Sequence, residues 1–65
     1  MILGLDISTS ITGYTVLDND GKIVVCDHID LRKEKNFFQK AALVEGALNR
    51  LRSQYFIEHV YICLL

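Results

Sequence analysis

The stretch "ILGLDISTSITGYTVL", residues 2–17, decides how this chain is read. Leu3, Leu5 and Ile7 alternate with Gly4 and Asp6, which is the period-2 pattern of a strand with one apolar face, spanning Met1 to Ile7. Ser8, Thr9 and Ser10 are turn-formers. A second strand follows from Ile11 to Leu17, and then Asp18-Asn19-Asp20-Gly21. Asp-Gly at that place predicts a hairpin, because glycine takes positive φ without a steric cost. The third strand is expected over Lys22 to Ile29, so the first three strands form an antiparallel meander.

Beyond it the period lengthens. Asn36 followed by Gln39 fits a capping box, with Asn36 as N-cap. Phe37, Ala41, Val44, Leu48, Leu51 and Tyr55 then fall on one helical face, with Lys40, Arg50 and Gln54 opposite. Gly46 interrupts good helix formers at a cost of about 1 kcal/mol relative to Ala. It marks either a close approach of helix to sheet or simple tolerance. "EHVYICLL", residues 58–65, reads as a fourth strand. A strand reached through a helix joins its neighbour in parallel by a right-handed crossover, which places it beside strand one. The expected fold is α/β, with strand order 3-2-1-4 and one helix covering one face. Ile62, Cys63, Leu64 and Leu65 leave strand four with an apolar, uncharged outer edge, a pairing hazard. The expectation is a half-domain, residues 1–65, that belongs to a larger α/β domain or completes itself by oligomerising.

Composition narrows the classes. The chain has 65 residues, 51% of them hydrophobic, enough for one small and marginally stable core. Its formal net charge of -1 points to no polyanionic partner. No apolar run approaches the roughly 20 residues of a membrane span, and no signal-peptide pattern opens the chain, so a cytoplasmic location is expected. Cys26 and Cys63 lack metal-site spacing and read as small core hydrophobes. His28 and His59 read as ordinary strand or surface residues.

Asp6 is the anomaly, a carboxylate inside an apolar strand. It either accepts hydrogen bonds from backbone N–H groups of the Ser8-Thr9-Ser10 turn, or it is a ligand for a hard cation such as Mg²⁺, which takes oxygen donors. Gly4 on the same face leaves space beside it. A two-metal site needs several converging acids. Asp18 and Asp20 belong to the hairpin, Asp27 and Asp30 lie far off at the end of strand three, and neither Glu45 nor Glu58 converges on Asp6. Arg32, Lys33, Lys35 and Lys40, with Glu34 among them, form a basic patch suited either to phosphates or to a solvated helix entry.

With Asp6, Ser8-Thr9-Ser10 and Thr12-Gly13-Tyr14 in this order, the chain resembles the start of RuvC-like Holliday junction resolvases, nucleases of the RNase H-like fold. The meander, helix and parallel fourth strand match as well. The resemblance covers the whole chain, with its motif in the first third. It implies that Asp6 is a catalytic, metal-binding carboxylate, that Mg²⁺ is the cofactor, and that the partner is branched DNA, a four-way junction. Ser8, Thr9, Ser10, Arg32, Lys33, Lys35 and Lys40 would be the DNA contacts and a homodimer the assembly. The family's next acid, a Glu, falls near Cys63 and Leu64, where this chain has none, and its remaining acids lie further along. The fragment is therefore expected not to cleave DNA by itself. Two other classes compete. Actin-like ATPases and sugar kinases share this sheet order and a strand-Asp-turn opening, although Ser8 stands where their phosphate loop wants Gly. A non-catalytic module could instead pair through the edge of strand four.

Overall fold

The structure, a computed structural model, describes residues 1–64; Leu65 and the side chain of Leu64 lie outside the described residues. It contains β1 (Ile2–Ile7), β2 (Ile11–Leu17), β3 (Ile23–Asp30), α1 (Phe37–Gln54) and β4 (His59–Leu64). The sheet order is β3-β2-β1-β4, with β1 antiparallel to β2 and parallel to β4, as the sequence pattern requires.

Between β2 and β3 the hairpin closes as the Asp-Gly pair predicts. Gly21 has φ 83° and donates its N–H to the Asp18 carbonyl at 3.1 Å. The Asp18 carboxylate accepts from the backbone N–H of Asp20 and of Lys22, both at 2.9 Å, so its charge is spent on the turn. β3 begins and ends one residue later than the expected Lys22–Ile29, and a register shift lies between Val16 and Leu17.

Asn36 caps α1, accepting from the Phe38 N–H at 2.7 Å. No return bond from Gln39 forms, so the cap is single rather than a reciprocal box. The register sorts side chains into alternating rows. Val25, Val16, Leu3 and Val60 lie on the helix side, and so do Asp27, Tyr14, Leu5 and Ile62. Cys26, Thr15, Gly4 and Tyr61 lie on the other side, and the next such row is His28, Gly13, Asp6 and Cys63.

The core is small. Leu3, Leu5, Val16 and Leu51 are buried together, with Met1, Ile7, Tyr14, Val25, Leu48, Tyr55 and Ile57 packed around them. Ala47 and Leu31 are also buried. The helix stripe is only half used. Phe37 and Ala41, expected on the buried face, are exposed, because the N-terminal half of α1 stands off the sheet and leaves a groove of about 840 Å³. Gly46 has only the Arg50 guanidinium near its missing Cβ, at 3.6 Å, so no close approach of helix to sheet requires it. Both cysteines are exposed rather than in the core, since Cys26 and Cys63 lie on the face that no helix among the described residues covers.

Candidate functional site

Asp6 is the fifth of six residues in β1, in the interior of the sheet, and it faces away from α1. Its strand neighbours are Gly13 on β2 and Cys63 on β4. A Cβ on Gly13 would sit 3.9 Å from the Asp6 Cβ, and one on Gly4 would sit 3.9 Å from the Thr15 carbonyl oxygen. The two glycines thus keep the sheet low around the carboxylate. The result is an open trough of about 450 Å³ whose lining includes Gly4, Asp6, Gly13, Thr15, Tyr61 and Cys63.

The turn after β1 does not use Asp6. Ser8 N–H donates to Thr12 Oγ1 at 3.4 Å, and the Thr12 hydroxyl donates to the Ser8 carbonyl at 2.9 Å. Ser10 N–H donates to Ser8 Oγ at 3.2 Å. The Ser8 and Ser10 amides are thereby satisfied by Thr12 and Ser8 side chains, a local motif that these residues favour. Among the described residues, the Asp6 carboxylate has neither a hydrogen-bond donor nor a salt-bridge partner. Of the two readings of Asp6, the turn-stabilising one is removed. Thr12, fully buried, does that work instead, and nothing in its sequence context beyond the Ser-Thr-Ser run two residues upstream announces it.

The other acids stay apart. Asp27 lines the far wall of the same trough, but its strand row is that of Tyr14 and it stands two strands from β1, roughly 10 Å away by strand spacing. Its carboxylate accepts from the His28 N–H at 2.8 Å and lies 3.5 Å from His28 Nδ1. Asp30 is held by Arg32, which donates from Nε at 2.9 Å and from Nη2 at 2.7 Å. This two-pronged hydrogen bond keeps the Asp30 carboxyl well below the usual carboxylate range and raises the Arg32 guanidinium. Glu58 pairs with the amino group of Met1 at 3.2 Å. Among the described residues, no three His, Cys, Asp or Glu side chains are grouped to hold a metal ion. One carboxylate beside a thiol and two glycines does not fit a complete Mg²⁺ site, which takes a near-octahedral oxygen set.

The expected DNA contacts divide. Ser8, Thr9 and Ser10 form the turn at the C-terminal end of β1. Lys40, assigned to the solvent face of the helix, is half-buried and reaches back to this turn, its Nζ donating to the Thr9 carbonyl at 2.8 Å. The Ser10 carbonyl accepts from Leu31 N–H at 2.8 Å, which brings the start of the basic segment to the same end of the sheet. Arg32 spends its charge on Asp30. Lys33 and Lys35 are exposed with no carboxylate in contact among the described residues. The basic patch is therefore weaker than a count of its residues suggests.

Comparison of the chain with protein-family models, with curated proteins and with solved structures finds no match. What the site can do is set by its own chemistry: one carboxylate on an interior strand, open to solvent, with hydroxyls and a lysine at the strand's end. No helix among the described residues is long and apolar enough to cross a membrane.

Proposed function

We propose that this chain is the N-terminal portion of an RNase H-like nuclease domain of the RuvC-like resolvase type, and that Asp6 is its contribution to a Mg²⁺ site. The remaining acids of that site would come from outside these residues. The observation that carries the reading is the unpartnered Asp6 carboxylate on a flat, glycine-lined face of an interior strand. A strand carboxylate that stabilises nothing is a candidate for chemistry, and phosphodiester hydrolysis uses metal-bound carboxylates in this way. The sheet order and the Asp-turn-Thr-Gly-Tyr sequence support the same reading. Branched DNA is the corresponding partner, approached from the end of the sheet where the Ser8-Thr9-Ser10 turn meets Lys40 and the segment bearing Lys33 and Lys35 leaves β3.

With a single acid, the chain alone binds junction DNA without cutting it. The test is fluorescence anisotropy of a labelled four-way junction against a linear duplex, with and without Mg²⁺, together with a nicking assay. Preference for the junction with no nicking is the expected result. Mg²⁺-dependent nicking by the pure chain, lost in Asp6→Asn, would show that one carboxylate suffices and overturn the inactive-portion reading. ATP binding with no affinity for branched DNA would favour the actin-like ATPase alternative. That alternative needs free turn amides for phosphate, and here Ser8 and Ser10 N–H groups are already taken by Thr12 and Ser8 hydroxyls.

A further inference from the structure

Four of the chain's seven basic residues lie between Arg32 and Lys40, with Glu34 the one acid among them, although the whole chain carries a formal net charge of -1. Arg32 is held by Asp30, while Lys33 and Lys35 are exposed and have no carboxylate in contact among the described residues. The two residues that follow the Asn36 cap are both phenylalanines. Phe37 is 70% exposed and Phe38 83%, and the Phe38 N–H donates to Asn36 Oδ1 at 2.7 Å, which fixes where the helix starts. Phe37 also lines the groove of about 840 Å³ beside the first half of α1, together with Thr9, Leu31, Lys40, Val44 and Asn49. Lys40 ties this helix start to the Ser8-Thr9-Ser10 turn through the Thr9 carbonyl.

We infer that Phe37 and Phe38 are a stacking platform for unpaired DNA bases, with Lys33 and Lys35 holding the adjoining phosphates. The inference rests on the DNA reading above and adds which part of a branched DNA is held: the unstacked nucleotides at the branch, not the paired arms. Every base has a π-face, and exposed aromatic rings beside free cations bind single strands by stacking and charge together. In a duplex those faces are already stacked on one another, so the rings gain nothing there. Charge selects the partner. An apolar protein layer laid over both phenylalanines would meet two ammonium groups with no carboxylate to pair them. A phosphate backbone brings a negative charge with every nucleotide. The groove suits a base as well. Leu31 and Val44 give it an apolar wall, and Thr9 and Asn49 bring a hydroxyl and an amide that can hydrogen-bond a base edge. An anionic lipid surface would use the same charges, but it has no use for a groove that carries an amide.

The experiment is fluorescence anisotropy of the full chain over a salt series with labelled DNAs: a thymidine single strand, a linear duplex of equal length and a four-way junction. The single strand and the junction are expected to bind more tightly than the duplex at each salt concentration. Phe37→Ala and Phe38→Ala should each weaken single-strand binding by about fivefold or more and leave the salt slope unchanged, whereas Lys35→Ala should lower that slope by about 0.7. Phe38→Leu should behave as Phe38→Ala does, and Phe38→Tyr as the native chain does, because the ring supplies stacking rather than apolarity alone. Circular dichroism checks that each variant folds; if Phe38→Ala does not, the Leu and Tyr variants decide. Single-strand binding that is unchanged in Phe37→Ala and Phe38→Ala overturns the inference and leaves the DNA reading standing. A chain that binds none of these DNAs overturns both. Tighter binding to the duplex, or binding to phosphatidylserine vesicles but not to the single strand, overturns the inference as well.

Discussion

On one face of the sheet, Leu3, Leu5 and Val16 are packed against Leu51 of the helix; on the other, Gly4, Asp6, Gly13 and Thr15 border an open trough. The same two strands, β1 and β2, supply both sets by simple alternation. On the covered face, residue identity is dictated by packing, and a lost methylene leaves a cavity. On the other face no helix among the described residues packs, so residue identity there is free to answer to another demand. An unpartnered carboxylate is tolerated there because water reaches it, and it would be costly one residue earlier or later.

This contrast breaks first at the core. Leu5→Ala should cost about 2–5 kcal/mol, and in a domain of this size that is enough to leave the chain largely unfolded by circular dichroism at room temperature. Thr12→Val tests the join between the two faces. It keeps the shape but leaves the Ser8 carbonyl and N–H without their partner, for a loss of about 1–3 kcal/mol measured by urea titration. Asn36→Ala removes the helix cap and should cost about 1 kcal/mol.

Smaller effects sharpen the comparison. Gly46→Ala should stabilise by about 0.5–1 kcal/mol, since no sheet atom crowds the position. A loss instead would mean that the helix approaches another surface there in solution. Asp6→Asn should change stability by no more than about 0.5 kcal/mol while removing any Mn²⁺-induced broadening of the Asp6 and Gly13 amide signals. A substantial loss of stability would return Asp6 to a structural role. The smallest effect is expected at Asp30. Its carboxyl is depressed in the folded state by Arg32, so the pair's contribution is present above the ordinary carboxylate range and lost as pH falls through the lowered folded value. Both partners are exposed, so salt should screen that contribution. A salt-insensitive acid transition abolished by Arg32→Ala would show a stronger pair than the geometry gives.

The strands, the hairpin at Gly21, the helix and its Asn36 cap were legible because each depends on neighbours in sequence. Parallel pairing of β4 with β1 was legible too, because a crossover through a helix has one favoured hand. The burial of the helix was only half legible. Periodicity marks Phe37 and Ala41 with the same stripe as Leu48 and Leu51, but a stripe does not say how far the sheet extends beneath it. The exposure of Cys26 and Cys63 was not legible for the same reason: an apolar preference predicts burial, and burial requires a covering layer that the described residues do not place on this face. At the site, the odd placement of Asp6 was readable from two residues on either side. Its freedom from the turn was not, because that depended on Thr12, six residues on, folding back across the hairpin.

The sequence by itself determined the order and type of the elements, and the strand face on which Asp6 would fall, because alternation and turn chemistry act over a few residues. Only the tertiary structure decided which carboxylates stand together, which basic residues are spent on internal partners, and which apolar side chains remain uncovered. Those outcomes depend on register and on the tilt of one helix over the sheet, and both are set by contacts between residues far apart in the chain.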